Sequence, residues 1–237
     1  MNSFQPDRRR FLKHSAASLG SGLMLGIRWP EVIAASESGN DAFQPNAWLQ
    51  IDNQGITTLY VAESEMGQGV YTSLPMLIAE ELEMDWRTIR VVHASLDPIY
   101  GFQGTGGSRS VRKAWKPLRE AGAVARQLLI TAAAQQWGVA VVECFARESR
   151  VVHQPSKRSL SYSELVERAS HLPLPDHVTL KHADEYTLIG TSVLRTDLTG
   201  KIDGSARFGI DVRLPDQLYA SIAQSPVFGG RVRENRA

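Results

Sequence analysis

A chain of 237 residues with 43% apolar side chains can hold one large domain or two small ones around a real core, which excludes disordered and collagen-like readings. Its 26 Lys and Arg balance 25 Asp and Glu, so a net charge of +1 gives nucleic acid no footing as the main partner. A single cysteine, Cys144, excludes an internal disulfide and any multi-thiolate zinc or iron–sulfur site within the chain.

The chain opens on Asp7-Arg8-Arg9-Arg10-Phe11-Leu12-Lys13, followed from His14 to Ile27 by a mildly apolar run rich in Ala, Ser, Gly and Leu. Basic, apolar and small-residue zones in that order make an export address. The run is too short and too glycine-rich for a membrane span, which needs about 20 mostly apolar residues. Arg8-Arg9-x-Phe11-Leu12-Lys13 resembles a bacterial twin-arginine signal, with Asp7 where Ser or Thr is usual, and Ala34, Ala35 and Ser36 offer cleavage points. That route carries folded proteins. Residues 1–35 therefore imply a periplasmic protein that takes up a prosthetic group before export.

Residues 36–46 form a linker. Trp48 to Ile51 and Ile56 to Val61, separated by Asp52-Asn53-Gln54-Gly55, predict a β-hairpin. Leu74, Leu77, Ile78 and Leu82 fall at helical spacing and predict a helix over 72–84; Ile89 to His93 is a strand. Val111, Trp115, Leu118, Ala121, Ala125, Leu128, Leu129 and Ala132 repeat every three or four residues, predicting a long helix that ends near Trp137-Gly138. Pro117 either kinks it or marks the first turn of its main part.

Beyond Gly138 the segments shorten. Val142 to Ala146 and Arg150 to His153 predict a second hairpin, and Tyr162 to Ala169 a short helix opened by a Ser161/Glu164 capping box. Residues 171–187 are a connector. Ala206 to Val212 and Leu218 to Ala223 have strand-like patterns, separated by Pro215-Asp216. A chain stopping just after such a run is expected to be the front part of a longer protein.

Two glycine-rich turns each lead into a helix. In Glu65-Met66-Gly67-Gln68-Gly69-Val70-Tyr71-Thr72, glycines permit positive φ and close ligand approach, and the first-turn amides of the helix attract an anion. Gln68 adds an amide able to read a polar heterocycle or a phosphate oxygen. Gln103-Gly104-Thr105-Gly106-Gly107-Ser108-Arg109-Ser110 offers a second nest, with Arg109 suited to bidentate contacts. Neither is a Walker loop or a Gly-x-Gly-x-x-Gly turn. Alone, a Gly-x-Gly turn before a helix is more often just a tight turn and the second stretch reads also as a surface loop, but two anion-capable loops within about forty residues suit a pyrophosphate.

Glu65-Met66-Gly67-Gln68-Gly69-Val70-x-Thr72, Ala79-Glu80-Glu81-Leu82, Gly104-Thr105-Gly106-Gly107-Ser108-x-Ser110-Val111, Arg119-x-Ala121-Gly122-Ala123 and Ala132-Ala133-Ala134-x-x-Trp137-Gly138-Val139 together resemble one known subunit type. It is the isoquinoline 1-oxidoreductase type large subunit of the xanthine dehydrogenase and aldehyde oxidase family. Leu188-Ile189-Gly190, Arg195-x-Asp197, Lys201-x-x-Gly204-x-Ala206-x-x-Gly209-Ile210-Asp211 and Pro226-Val227-Phe228-Gly229-Gly230 resemble the same family's α/β hammerhead. The resemblance runs from about residue 45 to 230.

The resemblance implies an α+β fold: a molybdopterin-binding segment over 47–185, then the start of a hammerhead over 186–237. It implies molybdopterin cytosine dinucleotide as cofactor, contacted by Gly67, Gln68 and Gly69 around the pterin and its phosphate and by Gly106, Gly107 and Ser108 on the dinucleotide side. The pterin dithiolene holds the molybdenum, so no protein metal ligand is expected. The implied reaction adds oxygen from water to a carbon of an aldehyde or N-heterocycle. Electrons leave through a small subunit with two [2Fe–2S] clusters, with a cytochrome c as candidate acceptor.

The family's catalytic glutamate lies toward the C-terminal end of a much longer subunit, so no catalytic residue is assigned here. Glu65 is read as a loop residue, Glu80 and Glu81 as solvated helix faces, the six histidines as surface or core residues, and Cys144 as a small buried hydrophobe. Two other functions remain open: a non-catalytic remnant or interaction module that binds the small subunit without cofactor, and a periplasmic binder of phosphorylated ligands.

Overall fold

A computed structural model describes residues 23–26, 47–52 and 55–231. The chain divides after Leu198 into two compact units. The first contains a four-stranded sheet in the order β1(Leu23–Gly26), β2(Ala47–Ile51), β3(Thr57–Val61), β4(Ile89–His93). β1 runs antiparallel to β2, β2 antiparallel to β3, and β3 parallel to β4. A parallel pair needs a crossover, and helix α1(Val70–Leu82) supplies it. Four residues of the segment read as an export address thus stand at the sheet edge. The Arg8 to Lys13 run, the cleavage points Ala34 to Ser36 and the linker 36–46 lie outside the described residues.

The hairpin forms as its alternation predicts. Thr57, Leu59 and Val61 are buried while Thr58 and Tyr60 are half-buried, and Asp52 closes the turn by accepting from Ile56 N at 2.9 Å. Leu49, Ile51, Leu59 and Val61 share a core with Leu74, Ile78 and Leu82 of α1 and with Leu118, Ala125 and Leu129 of α2(Ser110–Trp137). Small residues on α2 let α1 come close. A Cβ on Gly122 would stand 2.4 Å from the Ile78 carbonyl oxygen.

Helix α2 starts at Ser110 and runs through Pro117, so the proline does not mark its first turn and the glycine loop abuts the helix start directly. The helix ends where predicted: Gly138 takes a left-handed φ of 66°, and Val139 N reaches back to Ala134 O at 3.1 Å.

A second sheet follows, a meander of β5(Cys144–Arg147), β6(Arg150–His153) and β7(Arg158–Ser161). The third strand is absent from the sequence reading, because Arg158-Ser159-Leu160-Ser161 has a single apolar residue and its pairing comes from β6. Helix α3(Tyr162–Ser170) opens on the expected capping box, Glu164 accepting from Ser161 N at 2.7 Å. The buried Tyr162 hydroxyl donates to Leu82 O at 2.5 Å and ties α3 to the end of α1.

The second unit holds all but the first residue of α4(Leu198–Asp203) and a 3-10 turn over Gly209–Asp211. The strands expected at 206–212 and 218–223 do not form. A strand needs a neighbouring edge for its ladder, and among the described residues of this unit none is offered.

Candidate functional site

The loop between β3 and α1 is organised around one carboxylate. Glu65 Oε1 accepts from Gly67 N at 2.8 Å and Gly69 N at 3.0 Å, and Oε2 accepts from Tyr71 N at 3.0 Å. Gly67 and Gly69 adopt φ of 101° and 87°, which only glycine takes without strain, and this turns their amides toward the carboxylate. The amides expected to receive a ligand anion are therefore already paired with an anion of the protein itself. Burial alone would push Glu65 up, but the three amides and Arg195 outweigh it and hold the carboxyl below its ordinary range.

Gln68 folds over this turn. Its Oε1 accepts from Met66 N at 2.5 Å and its Nε2 donates to Ser64 O at 2.8 Å, which leaves one N–H and one lone pair of the exposed amide to face outward.

The second loop is built differently. Gly107 and Ser108 are consecutive left-handed residues, with φ of 62° and 51°, immediately before α2. Among the described residues, the amides of Gly106, Gly107 and Ser108 have no acceptor. Such exposed amides at the start of a long helix form an anion nest. Arg109 does not reach outward as expected; its Nε donates to Gly106 O at 3.3 Å and its guanidinium lies over the Phe102 ring at 5.2 Å. Lys113 Nζ holds Phe102 O at 2.9 Å and adds a second positive charge behind the loop.

The two loops meet. Ser64 N donates to Thr105 Oγ1 at 2.8 Å, so the residue that Gln68 braces also anchors the second loop. Beneath them, burial raises the carboxyl of Glu63 above its ordinary range, a shift that Lys113 partly opposes. The faces toward solvent are open: a Cβ built on Gly67, Gly69 or Gly106 meets nothing within 4 Å. Backbone amides, the exposed Gln68 amide and unfilled glycine faces fit a phosphorylated, hydrogen-bonding ligand.

Glu80 and Glu81 are not solvated. They are 1% and 0% exposed, and both reach from α1 into a strap formed by residues 179–197. Glu80 accepts from Leu188 N at 2.7 Å, Ile189 N at 2.8 Å and Lys181 Nζ at 2.6 Å. Glu81 accepts from Arg119 Nε at 2.8 Å and Lys181 N at 3.1 Å. Burial opposes ionisation of Glu80, but Lys181 and the strap amides prevail and its carboxyl lies below the ordinary range. The sequence signal was available: both glutamates sit in a helix whose other positions are almost all apolar, which marks burial on every side.

The other end of the strap returns to the first loop. Arg195 donates through Nη1 to Gly67 O at 2.9 Å and through Nη2 to Glu65 Oε1 at 3.1 Å, while pairing with both oxygens of Asp197. A cleft of about 590 Å³ lined by Tyr71, Arg90, Leu194, Thr196 and Asp197 opens beside this junction.

His153 is buried beside Ser156 and Glu143, and Cys144 is a buried free thiol, pushed up by burial. Among the described residues no cluster of His, Cys, Asp and Glu is arranged to hold a metal, and no helix is long and apolar enough to cross a membrane.

The fold is a βαβ-centred α+β unit whose two glycine loops are joined by the Ser64–Thr105 bond. The chain belongs to the molybdopterin cofactor-binding domain family, which matches residues 4–212. It is 33% identical over 239 residues to a membrane-bound aldehyde dehydrogenase (pyrroloquinoline-quinone) of Gluconacetobacter polyoxogenes, covering 95% of this chain and 30% of that protein. It is 33% identical over 228 residues to the beta chain of isoquinoline 1-oxidoreductase of Brevundimonas diminuta, covering 79% and 29%. A nicotinate dehydrogenase subunit of Pseudomonas putida is 29% identical over 183 residues, covering 77% and 15%. The chain thus spans at most about a third of these relatives' length.

Proposed function

We propose that this chain supplies the cofactor loops of a molybdopterin-dependent oxidoreductase acting on an aldehyde or an N-heterocycle. The observation that supports this reading is the Ser64 N to Thr105 Oγ1 bond, which joins the loop of Gln68 to the loop that carries the acceptor-less amides of Gly106, Gly107 and Ser108. Family membership supports a molybdopterin cofactor. The relatives' names, two of N-heterocycle enzymes and one of an aldehyde enzyme, support the substrate classes.

In this reading the amides of Gly106, Gly107 and Ser108 bind phosphate, and the outward half of Gln68 orients the pterin. Gly67 and Gly69 serve by their shape, since Glu65 occupies their N–H groups. The cofactor takes the dinucleotide form with cytosine and supplies a two-electron redox centre, with water as the oxygen source. The chain's partners would be a [2Fe–2S] small subunit and an acceptor such as a cytochrome c. The Arg8-Arg9 leader and the α/β hammerhead over 186–237 belong to the same proposal, as does a periplasmic location.

Gly106→Val is the discriminating variant. Its Cβ meets open space and Gly106 is not left-handed, so the fold tolerates it and stability changes by about 0.5 kcal/mol or less. The subunit purified with its partner is expected to carry molybdenum by mass spectrometry, and Gly106→Val to lose most of it. A well-folded wild-type complex without molybdenum sinks the proposal, and pyrroloquinoline quinone found in its place redirects it to another cofactor.

A further inference from the structure

The strap 179–197 runs back along α1 from its last turn to its first. Glu80 and Glu81 hold the strap at one end through Lys181, Leu188 and Ile189. At the other end Thr196 N donates to Thr72 Oγ1 at 3.1 Å and Thr196 Oγ1 donates to Tyr71 O at 2.7 Å, pinning the backbone beside Arg195 to the first turn of α1. From that fixed point one guanidinium reaches three acceptors: the Gly67 carbonyl, the Glu65 carboxylate and the Asp197 carboxylate.

These contacts sit on the two groups that set the loop's shape. Glu65 gathers the amides of Gly67, Gly69 and Tyr71, and the Gly67 carbonyl fixes the peptide leading into Gln68. A carboxylate that leaves a loop of this kind frees three amides at once, because each relies on it. The planar fork of arginine fits three acceptors at fixed angles, and an ammonium does not.

We propose that Arg195 is a positioning residue for the Gly67-Gln68-Gly69 loop: it locks Glu65 onto the loop amides and the Gly67 carbonyl into place, so that Gln68 faces the cofactor. This rests on the reading of the loop as a cofactor site and adds to it a residue 128 positions along the chain from Gly67. The anchoring at Glu80 and Glu81 makes the strap a built part of the same unit.

The test compares wild type, Arg195→Ala and Arg195→Lys in the full chain by amide hydrogen exchange, and by molybdenum retained through gel filtration of the cofactor-loaded complex. Loss of a charge-assisted pair is expected to speed exchange across residues 64–72 in Arg195→Ala by about tenfold or more, with residues 118–129 of α2 unchanged. Arg195→Lys keeps the charge but not the fork, so its exchange falls between the two. Molybdenum retention is expected to fall in the same order.

Unchanged exchange over 64–72 in Arg195→Ala overturns the proposal, as does an equal loss of protection throughout α2, which marks a general folding role. Where wild type carries molybdenum, an equal amount in Arg195→Ala overturns it too. Wild type without molybdenum sinks the functional reading and the cofactor half of this proposal, while the exchange comparison still decides whether Arg195 locks the loop.

Discussion

Glu81 stands in the protein with no exposure to water, and its charge is met by Arg119 at 2.7 Å and by the backbone of Lys181. Arg119 is itself nearly buried, between Trp115 and Tyr186, so removing the carboxylate strands a guanidinium in a low-dielectric interior. Glu81→Ala is therefore expected to cost about 3–5 kcal/mol in urea unfolding. The exposed pair Lys116–Glu120 gives the contrast, and Glu120→Ala should change stability by about 0.5 kcal/mol or less. Glu80 adds a pH signature. Its carboxyl is depressed below the ordinary 4.5, so the stabilisation it provides is complete above that value and drains away as pH falls through the lower, folded value. Glu80→Gln should be clearly less stable than wild type at neutral pH. The gap is expected to narrow below about pH 4.5 in parallel acid titrations followed by circular dichroism; a gap that stays constant with pH contradicts the assignment.

At the scale of elements, the contact between α1 and α2 depends on one missing side chain. A methyl on Gly122 would meet the Ile78 carbonyl oxygen at 2.4 Å and Glu81 Cβ at 2.9 Å, and backbone cannot rotate aside as a side chain can. Gly122→Ala is expected to lower stability by about 1–3 kcal/mol in thermal or urea melts, although alanine is the better helix former. These two helices and the hairpin were legible because each states its period locally: Thr57 to Val61 alternate, and Leu74, Ile78 and Leu82 recur every four residues. The second sheet's last strand was not, since Arg158 to Ser161 pair through a neighbour that no local pattern names. The same limit applied at the site. Gly67, Gly69 and Gly107 were readable from residue type, whereas Pro117 left the start of α2 open, Glu65 fills the first loop through its side chain, and Arg195 returns from a distant part of the chain. A carboxylate two residues before Gly67 carries no mark in sequence of where it folds.

At the scale of the whole molecule, the two units differ in what holds them. In the first unit the described residues surround a continuous core that runs from Trp48 to Ala169 and is closed by the Glu80 and Glu81 clamps. Residues 199–231 contain one short helix and a 3-10 turn, and their large apolar side chains face solvent, with Leu218 at 91% and Ile222 at 86% exposed. Burial of such side chains stabilises by about 1.5–3 kcal/mol each, and this unit collects almost none of it. Local opening should therefore be cheap there and costly in the first unit. Limited proteolysis is expected to cut first within 199–231 and to leave a core ending near Leu198 that keeps the far-ultraviolet signature of α1 and α2. The strap marks the boundary: Arg195, paired with Asp197, is tied to Glu65 and Gly67. Trimming that enters the strap and removes Arg195 should loosen the first glycine loop, and cutting that stops at Leu198 should leave it intact. Mass spectrometry of the surviving core, paired with exchange over residues 64–72, separates the two outcomes; first cleavage inside α1 or α2 would contradict this order of stability.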